Sequence, residues 1–409
     1  MTMGGPLAGI RVLDLSRILA GPWSTQVLAD LGADVIKVER PGEGDDTRKF
    51  GPPWVRDRDS GEPVDAAYFA GTNRGKRSVT IDFTLPEGQA LIHRLAAISD
   101  IAVENYKVGG LARFGLDYES LSTTNPALVY CSITGFGQTG PYRNRPGYDF
   151  LIQGMGGLMS VTGERDDLPG GGPQKAGVAL ADIITGMYAT TAILAALHSR
   201  HASGRGQHLD IALLDAQVAA LANQGMNWLI GGTVPRRSGN GHPNIAPYQV
   251  FETADGHIIV AVGNDEQFVR FCAVAGLMAM GSDPRYRTIA DRNANRDTLL
   301  PEIAAVLRSR PSEDWIAALE QESVPCGPIN TIDKVFADPQ VQARGMRLDL
   351  PHPRAGSVPS IASPMRFSET AIEYSNASPT LGQHTDAVLA ELLEVDAVQA
   401  AALRARRVI

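Results

Sequence analysis

The chain has 409 residues, which is long for one hydrophobic core, and its 44% hydrophobic content is enough for two domains. Its formal net charge of −8 argues against a nucleic-acid-binding protein, because overall acidity repels phosphate and no long basic run interrupts it. The three cysteines, Cys131, Cys272 and Cys326, share no metal-like spacing, and their odd number favours a reducing compartment over a disulfide scaffold.

The first half of the chain predicts alternating strands and helices. Gly9–Leu15 and Ala33–Glu39 are short apolar strand patterns, and the helix between them is closed by Gly32. Further strand patterns at Ser78–Phe83, Ile101–Asn105 and Leu128–Thr134 flank a helix pattern at Pro86–Asp100. This order predicts an α/β fold, with a parallel sheet covered by helices in a Rossmann-like large domain. No GxGxxG motif opens the first helix, so a nicotinamide cofactor is not expected.

The segment Gly177–Arg200 predicts a long apolar helix with one carboxylate, Asp182, at its start. After Asp182 no charge appears until Arg200. Asp182 would then be the N-cap of the helix, and an ordinary cap contributing about 1 kcal/mol is one interpretation. A nucleophile is the other, because helix amides and the helix dipole would keep the carboxylate ionised and ready to attack an electrophile.

The pattern changes between about Gly225 and Gly327. There the run Tyr248–Gly263 predicts a hairpin that turns at Ala254–Gly256, and helix patterns follow it. We expect a large domain over 1–224, a smaller α+β domain over 225–329, and a Pro-rich segment over 330–409 that ends in a helix. The opening run MTMGGPLAG has no apolar signal core, and the uncharged run after Asp182 is shorter than a membrane span, so we expect a cytoplasmic protein.

Motifs along nearly the whole chain carry a family resemblance. They run from PLAGIRVLDLSRILAGP through VIKVERPGEGDDTR, TNRGKRS, VENYKVGGLARFGLDY, GYDFLIQGMGGLM and CGPIN to LGQHTDAVLAEL. The sequence resembles the family III CoA-transferases, the CaiB/BaiF group. The runs GEGDDTR and YCSITGFGQTGP look most like its branch that moves CoA between succinate, glutarate and hydroxymethylglutarate. The resemblance implies that Asp182 carries the acyl group, that 330–409 returns to the large domain, and that two subunits form an interlocked homodimer.

Coenzyme A is a long anion, so its site needs cations and amides at separated points. The resemblance assigns CoA contacts to Arg40, Lys76, Asn105 and Arg113, of which Arg40 and the Asn105–Arg113 group follow predicted strands. Open α/β sheets bind ligands at that edge. The roles of Arg77 and Lys107 stay open.

A dicarboxylate acceptor needs a partner for its second charge, and arginine suits a carboxylate. The candidates are Arg17, Arg48 and Arg74, because all three lie in N-terminal loops whose motifs form the active-site wall of the resembled family. For each of them, a surface or CoA-phosphate contact is the alternative. Amides near Gly135–Gly140 and at the start of the Asp182 helix are the candidate oxyanion donors.

Two other functions remain open at this point. An α-methylacyl-CoA racemase shares the resembled fold, but it needs a second acid/base, a histidine at the position held here by Tyr148. A catalytically silent acyl-CoA-binding protein would be expected to lack Asp182. The eight histidines are dispersed, so no metal site is expected, and the reaction needs no prosthetic group; an acyl-CoA and a small carboxylic acid are the expected partners.

Overall fold

The computed structural model describes residues 4–409 and divides into two compact units. The first unit takes the chain up to Leu158, then Ala176–Gly225 and Pro339–Ile409, and the second takes Met159–Lys175 and Met226–Asp338. The sequence analysis kept 159–175 in the large domain. These residues group with the second unit because the Arg237 guanidinium pairs with Asp166 and donates to the Ser160 carbonyl.

The strands are, in chain order, β1 (Arg11–Asp14), β2 (Asp34–Glu39), β3 (Trp54–Arg56), β4 (Pro63–Ala66), β5 (Arg77–Thr80), β6 (Ile101–Glu104), β7 (Val129–Thr134), β8 (His208–Ala212), β9 (Tyr248–Glu252), β10 (His257–Ala261), β11 (Cys326–Pro328), β12 (Arg347–His352) and β13 (Gly356–Ile361).

The α-helices are α1 (Ala20–Asp30), α2 (Ala67–Ala70), α3 (Pro86–Ala97), α4 (Tyr118–Thr124), α5 (Asp149–Met155), α6 (Leu158–Val161), α7 (Leu180–Ser203), α8 (Leu213–Ala219), α9 (Ala222–Gly231), α10 (Asp265–Val274), α11 (Met278–Gly281), α12 (Ile289–Ala294), α13 (Arg296–Leu307), α14 (Ser312–Gln321), α15 (Ile332–Ala337), α16 (Pro339–Ala343), α17 (Thr385–Leu393) and α18 (Ala397–Ala405).

A six-stranded parallel sheet in the order β5-β2-β1-β6-β7-β8 forms the centre of the first unit. Successive strand residues point to opposite faces, so Leu13 packs under α3 and α17 while its neighbour Val12 packs under α1 and α7. Both faces are therefore covered by helices. This confirms the predicted α/β fold with a parallel, Rossmann-like sheet.

The C-terminal segment contributes to the same unit. The Val408 carbonyl accepts from the Asp82 amide at 2.8 Å, and Thr385 Oγ1 accepts from the Thr80 amide at 3.0 Å. Val388 and Leu389 of α17 are fully buried in the core on that face of the sheet. Because of these contacts, the C-terminal segment belongs to the first unit, although the chain before it forms the second unit.

The second unit has its own antiparallel sheet, in the order β11-β10-β9, and its own core. The β9–β10 pair forms the predicted hairpin, in which the Thr253 amide donates to the Gly256 carbonyl at 2.9 Å. Trp315 and Phe271 are fully buried between this sheet and the following helices. The result is the smaller α+β unit that the change of pattern predicted.

Helix α7 is the one helix within residues 4–409 that is long and apolar enough to cross a membrane, by length and composition only. The helix has 24 residues because it includes Asp182 and Arg200, which bound the shorter uncharged run on which the sequence expectation rested. A core helix passes the same test, and α7 packs on α1 and on the sheet through Ala189 and Ile193, which are fully buried. Gly186 lets α1 approach closely, since a Cβ there would lie 2.7 Å from the Ala20 carbonyl oxygen.

Two glycines close the neck of the loop between β7 and α5. A Cβ on Gly147 would lie 2.3 Å from the Cα of Gly135, and a Cβ on Gly135 would lie 2.5 Å from the Cα of Gly147. The two backbones therefore touch, and the loop returns to the point where it left the sheet.

We predict that Gly147→Ala lowers the free energy of unfolding by about 1–3 kcal/mol, because the clash is with backbone that no side-chain movement can relieve. Gly177→Ala is the matched control, since a Cβ there has no atom within 4 Å. Urea denaturation of both variants measures the effect, and equal stability of the two would contradict the contact.

Candidate active site

A cavity of about 630 Å³ opens in the first unit at the carboxyl edge of the parallel sheet. Residues after four strands line it: Arg17 after β1, Arg40 after β2, Asn105 after β6 and Gly135 after β7. Open α/β sheets bind ligands at this edge, where the carboxyl ends of the strands meet. Asp182 lies in the same lining.

Asp182 is the third residue of α7 and not its N-cap. The helix begins at Leu180, and the cap residue, Ala179, has no side-chain bond to offer. Asp149 takes over the capping role, because its Oδ1 accepts from the amides of Ala181 at 2.9 Å and Asp182 at 3.4 Å. The sequence assigned the cap to the wrong carboxylate.

This exchange changes the electrostatics of Asp182. Burial raises the pKa of its carboxyl to about 7, and the neighbouring Asp149 carboxylate adds to the increase. The expectation that helix amides hold Asp182 ionised is therefore wrong, since those amides donate to Asp149. Within residues 4–409 the Asp182 carboxyl has no hydrogen-bond partner, so its oxygens are free to react.

Asp149 has a second partner, since its Oδ2 accepts from Gln153 Nε2 at 2.8 Å. The preceding residue, Tyr148, is the N-cap of α5, lines the cavity and is 68% exposed. Asp149 therefore holds the start of α7, and the phenol of Tyr148 lies in the cavity wall.

Three of the four candidate CoA residues line the cavity. Arg40 is exposed and pairs with Glu43 at 3.1 Å, while Arg113 lies over the Phe114 ring at 4.4 Å with no carboxylate partner within the described chain. The Asn105 carboxamide bonds to the main chain of Arg17 at both ends.

Lys76 does not line the cavity. Its ammonium is fully buried and donates to Asp14 at 3.1 Å, to the Pro22 carbonyl at 3.0 Å and to Asn73 at 2.8 Å. A contact with CoA would require these three bonds to break. Arg77, whose role the sequence left open, pairs with Asp34 outside the cavity.

Of the three candidate arginines for a second carboxylate, the structure brings only Arg17 to the cavity. Arg48 is buried between Glu39 and Asp65, at 2.7 Å from each. Arg74 is buried in an ion pair with Asp30. The latter two predictions are corrected, because both guanidiniums are already neutralised inside the fold.

The structure adds two cations that the sequence analysis did not select. Arg143 and Arg145 line the cavity from the loop between β7 and α5, and neither has a carboxylate partner among residues 4–409. Arg145 lies over the Tyr142 ring at 4.6 Å. The sequence could have indicated both residues, because their loop follows strand β7 just as Arg40 follows β2. Lys107, which follows β6, also lines the cavity.

Several proposed oxyanion donors are occupied. Gly137 donates its amide to Thr134 Oγ1 and Gln138 donates to Asp210 Oδ2, each at 2.9 Å. The first amides of α7 donate to Asp149, as described above.

Among residues 4–409 there is no group of three or more His, Cys, Asp or Glu residues that could hold a metal ion.

The chain is similar to known proteins along nearly its whole length. The CoA-transferase family III profile matches residues 7–385. A succinate–glutarate CoA-transferase from Agrobacterium fabrum is 54% identical over 391 residues, covering 96% of either chain. The human succinyl-CoA:glutarate CoA-transferase is 41% identical over 96% of this chain and 87% of its own length. The crystal structure of a CaiB/BaiF family protein from Brucella suis superimposes with a TM-score of 0.83 at 51% identity, covering 95% of this chain and 100% of the other.

A parallel α/β sheet with a cation-lined cavity at its carboxyl edge defines an α/β protein with a site suited to an anionic ligand. The chain belongs to CoA-transferase family III, and it transfers coenzyme A between carboxylic acids. Acyl-CoA is accordingly its substrate. The named relatives support transfer over the racemase and the silent binding protein that the sequence left open.

The pKa of Asp182 predicts a pH profile. If the ionised carboxylate reacts, kcat/KM for the acyl-CoA should rise with pH through about 7 and level off above it. Asp149→Asn keeps an oxygen for the α7 amides but removes the neighbouring charge, so the acidic limb should move to lower pH. A limb that stays in place in this variant would contradict the electrostatic coupling.

The same pKa has a stability counterpart. Asp182 is protonated more readily in the folded state than in the unfolded chain, where its pKa is near 3.8, so its contribution is present below pH 4 and lost as pH rises through about 7. Asp182→Asn should therefore stabilise the fold more at pH 8 than at pH 5. Urea denaturation at the two pH values tests this, and an equal gain at both would argue against the raised pKa.

Proposed function

We propose that the enzyme moves CoA from succinyl-CoA to a free dicarboxylate such as glutarate, with Asp182 as the covalent carrier. The observation that carries the proposal is the Asp182 carboxyl itself, unpartnered in the cavity lining with a pKa of about 7. Perturbed carboxyl groups in clefts are typical of catalytic sites. The printed names of the bacterial and human relatives favour the same substrate pair.

The reaction proceeds through two anhydrides and one thioester on Asp182. The carboxylate attacks the thioester carbonyl of succinyl-CoA, forming a mixed anhydride and releasing CoA thiolate. The thiolate attacks the aspartyl carbonyl, giving an aspartyl-CoA thioester and free succinate. The acceptor carboxylate then attacks this thioester to form a second anhydride and thiolate. Finally the thiolate attacks the acceptor's carbonyl, which releases the new acyl-CoA and restores Asp182.

Each step exchanges one acyl bond for another, so no electron is gained or lost and neither a metal nor a prosthetic group is required. The protein's contribution is to hold the partners in place and to stabilise the oxyanions. Water must stay out, because it would hydrolyse the anhydride and the thioester.

The cations of the cavity divide between the two substrates in this proposal. Arg40 and Arg113, with Lys107 beside them, contact the phosphates of CoA, because they line the cavity at the ends of β2 and β6. Arg143 and Arg145 are available for the second carboxylate of the acceptor, and so is Arg17 if that carboxylate displaces Asp46, with which the exposed Arg17 guanidinium pairs at 3.2 Å. For Lys76 and Asn105 only the family resemblance implies a CoA contact, and their side chains are engaged within the fold.

We also propose that the enzyme acts as an interlocked homodimer in the cytoplasm. Large apolar side chains lie exposed on two touching helices of the first unit, with Phe150 and Leu151 on α5 at 59% and 41% exposure and Met187 and Tyr188 on α7 at 41% and 48%. A neighbouring subunit would cover such a surface. Light scattering should give twice the chain mass at every dilution, and a monomer would refute the assembly.

The covalent step is tested by trapping. After incubation with succinyl-CoA, hydroxylamine should convert Asp182 to a hydroxamate that peptide mass spectrometry detects, because both the anhydride and the thioester are acylating groups. Asp182→Ala should give no adduct and no transfer, while CoA binding persists since the phosphates are held elsewhere. Active enzyme with an unmodified Asp182 would rule out the proposed carrier.

The acceptor class is tested with a panel of free mono- and dicarboxylates offered with succinyl-CoA. Dicarboxylates should lead the panel, because a buried second carboxylate needs a cation. Arg17→Met should raise KM for glutarate on the order of 10- to 100-fold, as expected for a lost charged hydrogen bond, and should change monocarboxylate turnover less. Arg40→Met is the control, because it should raise KM for succinyl-CoA without changing the order of acceptors. A panel led by monocarboxylates would overturn the assignment.

A further inference from the structure

The loop between β1 and α1 contains a strained residue in the wall of the cavity. Ile18 has a φ of +70°, in the left-handed region. A β-branched residue strongly disfavours this region, because its Cβ crowds the backbone, so surrounding contacts must impose the conformation. Ile18, Leu19 and Ala20 all line the cavity together with Asp182.

Asn105 supplies the most direct restraint. Its Oδ1 accepts from the Arg17 amide at 2.8 Å, and its Nδ2 donates to the Arg17 carbonyl at 2.6 Å. The carboxamide thus pairs with both main-chain groups of the residue before Ile18. Both ends of the Asn105 side chain are committed to this clasp.

Two buried charges hold the same loop from the other side. The Ile18 amide donates to Asp45 Oδ1 at 3.3 Å, and the Lys37 ammonium donates to the Ser16 carbonyl at 2.9 Å. Lys37 and Asp45 pair with one another at 2.9 Å and are fully buried. With these bonds in place, Asn105 is the restraint that can be removed without unpairing a buried charge.

The loop leads directly into the first turn of α1. In α7, Gly186 lies one turn after Asp182 and in close contact with the Ala20 carbonyl, so the start of α1 and Asp182 meet at the same cavity. The first amides of any helix lack intrahelical acceptors, and their dipoles favour negative charge. The conformation of Ile18 sets where these amides point.

We propose that Asn105 is a positioning residue, which clasps the Arg17 main chain to hold Ile18 left-handed and so fixes the start of α1 beside Asp182. This replaces the direct CoA contact that the family resemblance implies for Asn105. The inference rests on the proposed role of Asp182. It concerns the rate of the chemical step and not the affinity for CoA.

Asn105→Ala should lower kcat on the order of 100-fold while KM for succinyl-CoA changes by less than about 3-fold, because the misplaced wall affects the reacting centre and not the phosphates. A raised KM with an unchanged kcat would show that Asn105 binds CoA and would overturn the proposal. Trapping separates this result from the carrier hypothesis: Asn105→Ala should still form the Asp182 hydroxamate, only more slowly.

Relief of the strain provides the sharper test. Glycine adopts a φ of +70° without penalty, so in the Ile18→Gly background the loss caused by Asn105→Ala should shrink to about 5-fold or less. Ile18→Val is the matched control, because valine keeps the β-branched penalty and should leave the 100-fold loss in place. An equal loss in the glycine and valine backgrounds would refute the strain mechanism.

Asn125 controls for a purely structural effect. Its carboxamide clasps main chain in the same way, donating to the Ala96 and Ser99 carbonyls and accepting from the Ala127 amide, but it does not line the cavity. Asn125→Ala should lower the melting temperature and leave kcat unchanged, whereas Asn105→Ala should lower both. If kcat falls equally in the two variants, Asn105 contributes only to general stability and the proposal is overturned.

If Asn105→Ala does not fold, Asn105→Asp replaces it in the same experiments. An aspartate at this position can accept from the Arg17 amide but cannot donate to the Arg17 carbonyl.

Discussion

The structure depends on the burial of charge at the carboxyl edge of the parallel sheet. Lys37 and Lys76 have fully buried ammonium groups, paired with Asp45 and Asp14 respectively. Burial alone would lower the pKa of Lys37, but Asp45 and Asp14 beside it more than compensate and raise it. Removing one member of such a pair leaves an uncompensated charge and costs about 3–5 kcal/mol. The loops at this edge are therefore fixed by electrostatics as well as by packing.

The same principle explains why some arginines in these loops have a free charge and others do not. Arg48 and Arg74 are neutralised by Glu39 and Asp30 within the fold, and they have no free charge to offer a ligand. Arg143 and Arg145 have no carboxylate within reach in the part of the chain that the structure describes, so their charge faces the cavity. A position in a loop does not separate the two groups, since Arg48 follows β2 as Arg143 and Arg145 follow β7. The difference is made by carboxylates distant in sequence.

The two carboxylates at the start of α7 show how a local role can move from one residue to another. Asp149 takes the amides that Asp182 would have used, and its charge then raises the pKa of Asp182. Asp149 accepts hydrogen bonds from the helix amides, while the Asp182 carboxyl is left unpartnered. This division of roles between two acidic groups is a common way for a protein to tune a reactive carboxyl.

The sequence by itself determined the α/β class, the parallel strands and the apolar helix that carries Asp182, because these follow from local hydrophobic periodicity and turn residues. The family resemblance also pointed to Arg17 and, together with their position after parallel strands, to Arg40, Asn105 and Arg113. Tertiary structure alone decided the partner of each cation, the capping of α7 by Asp149, and the left-handed conformation of Ile18. These features depend on contacts between residues distant in sequence, such as Arg17 with Asn105 at 88 positions, and no local pattern records them. The Asp182 carboxylate is visible in the sequence, but its raised pKa comes from the residues that the fold places around it.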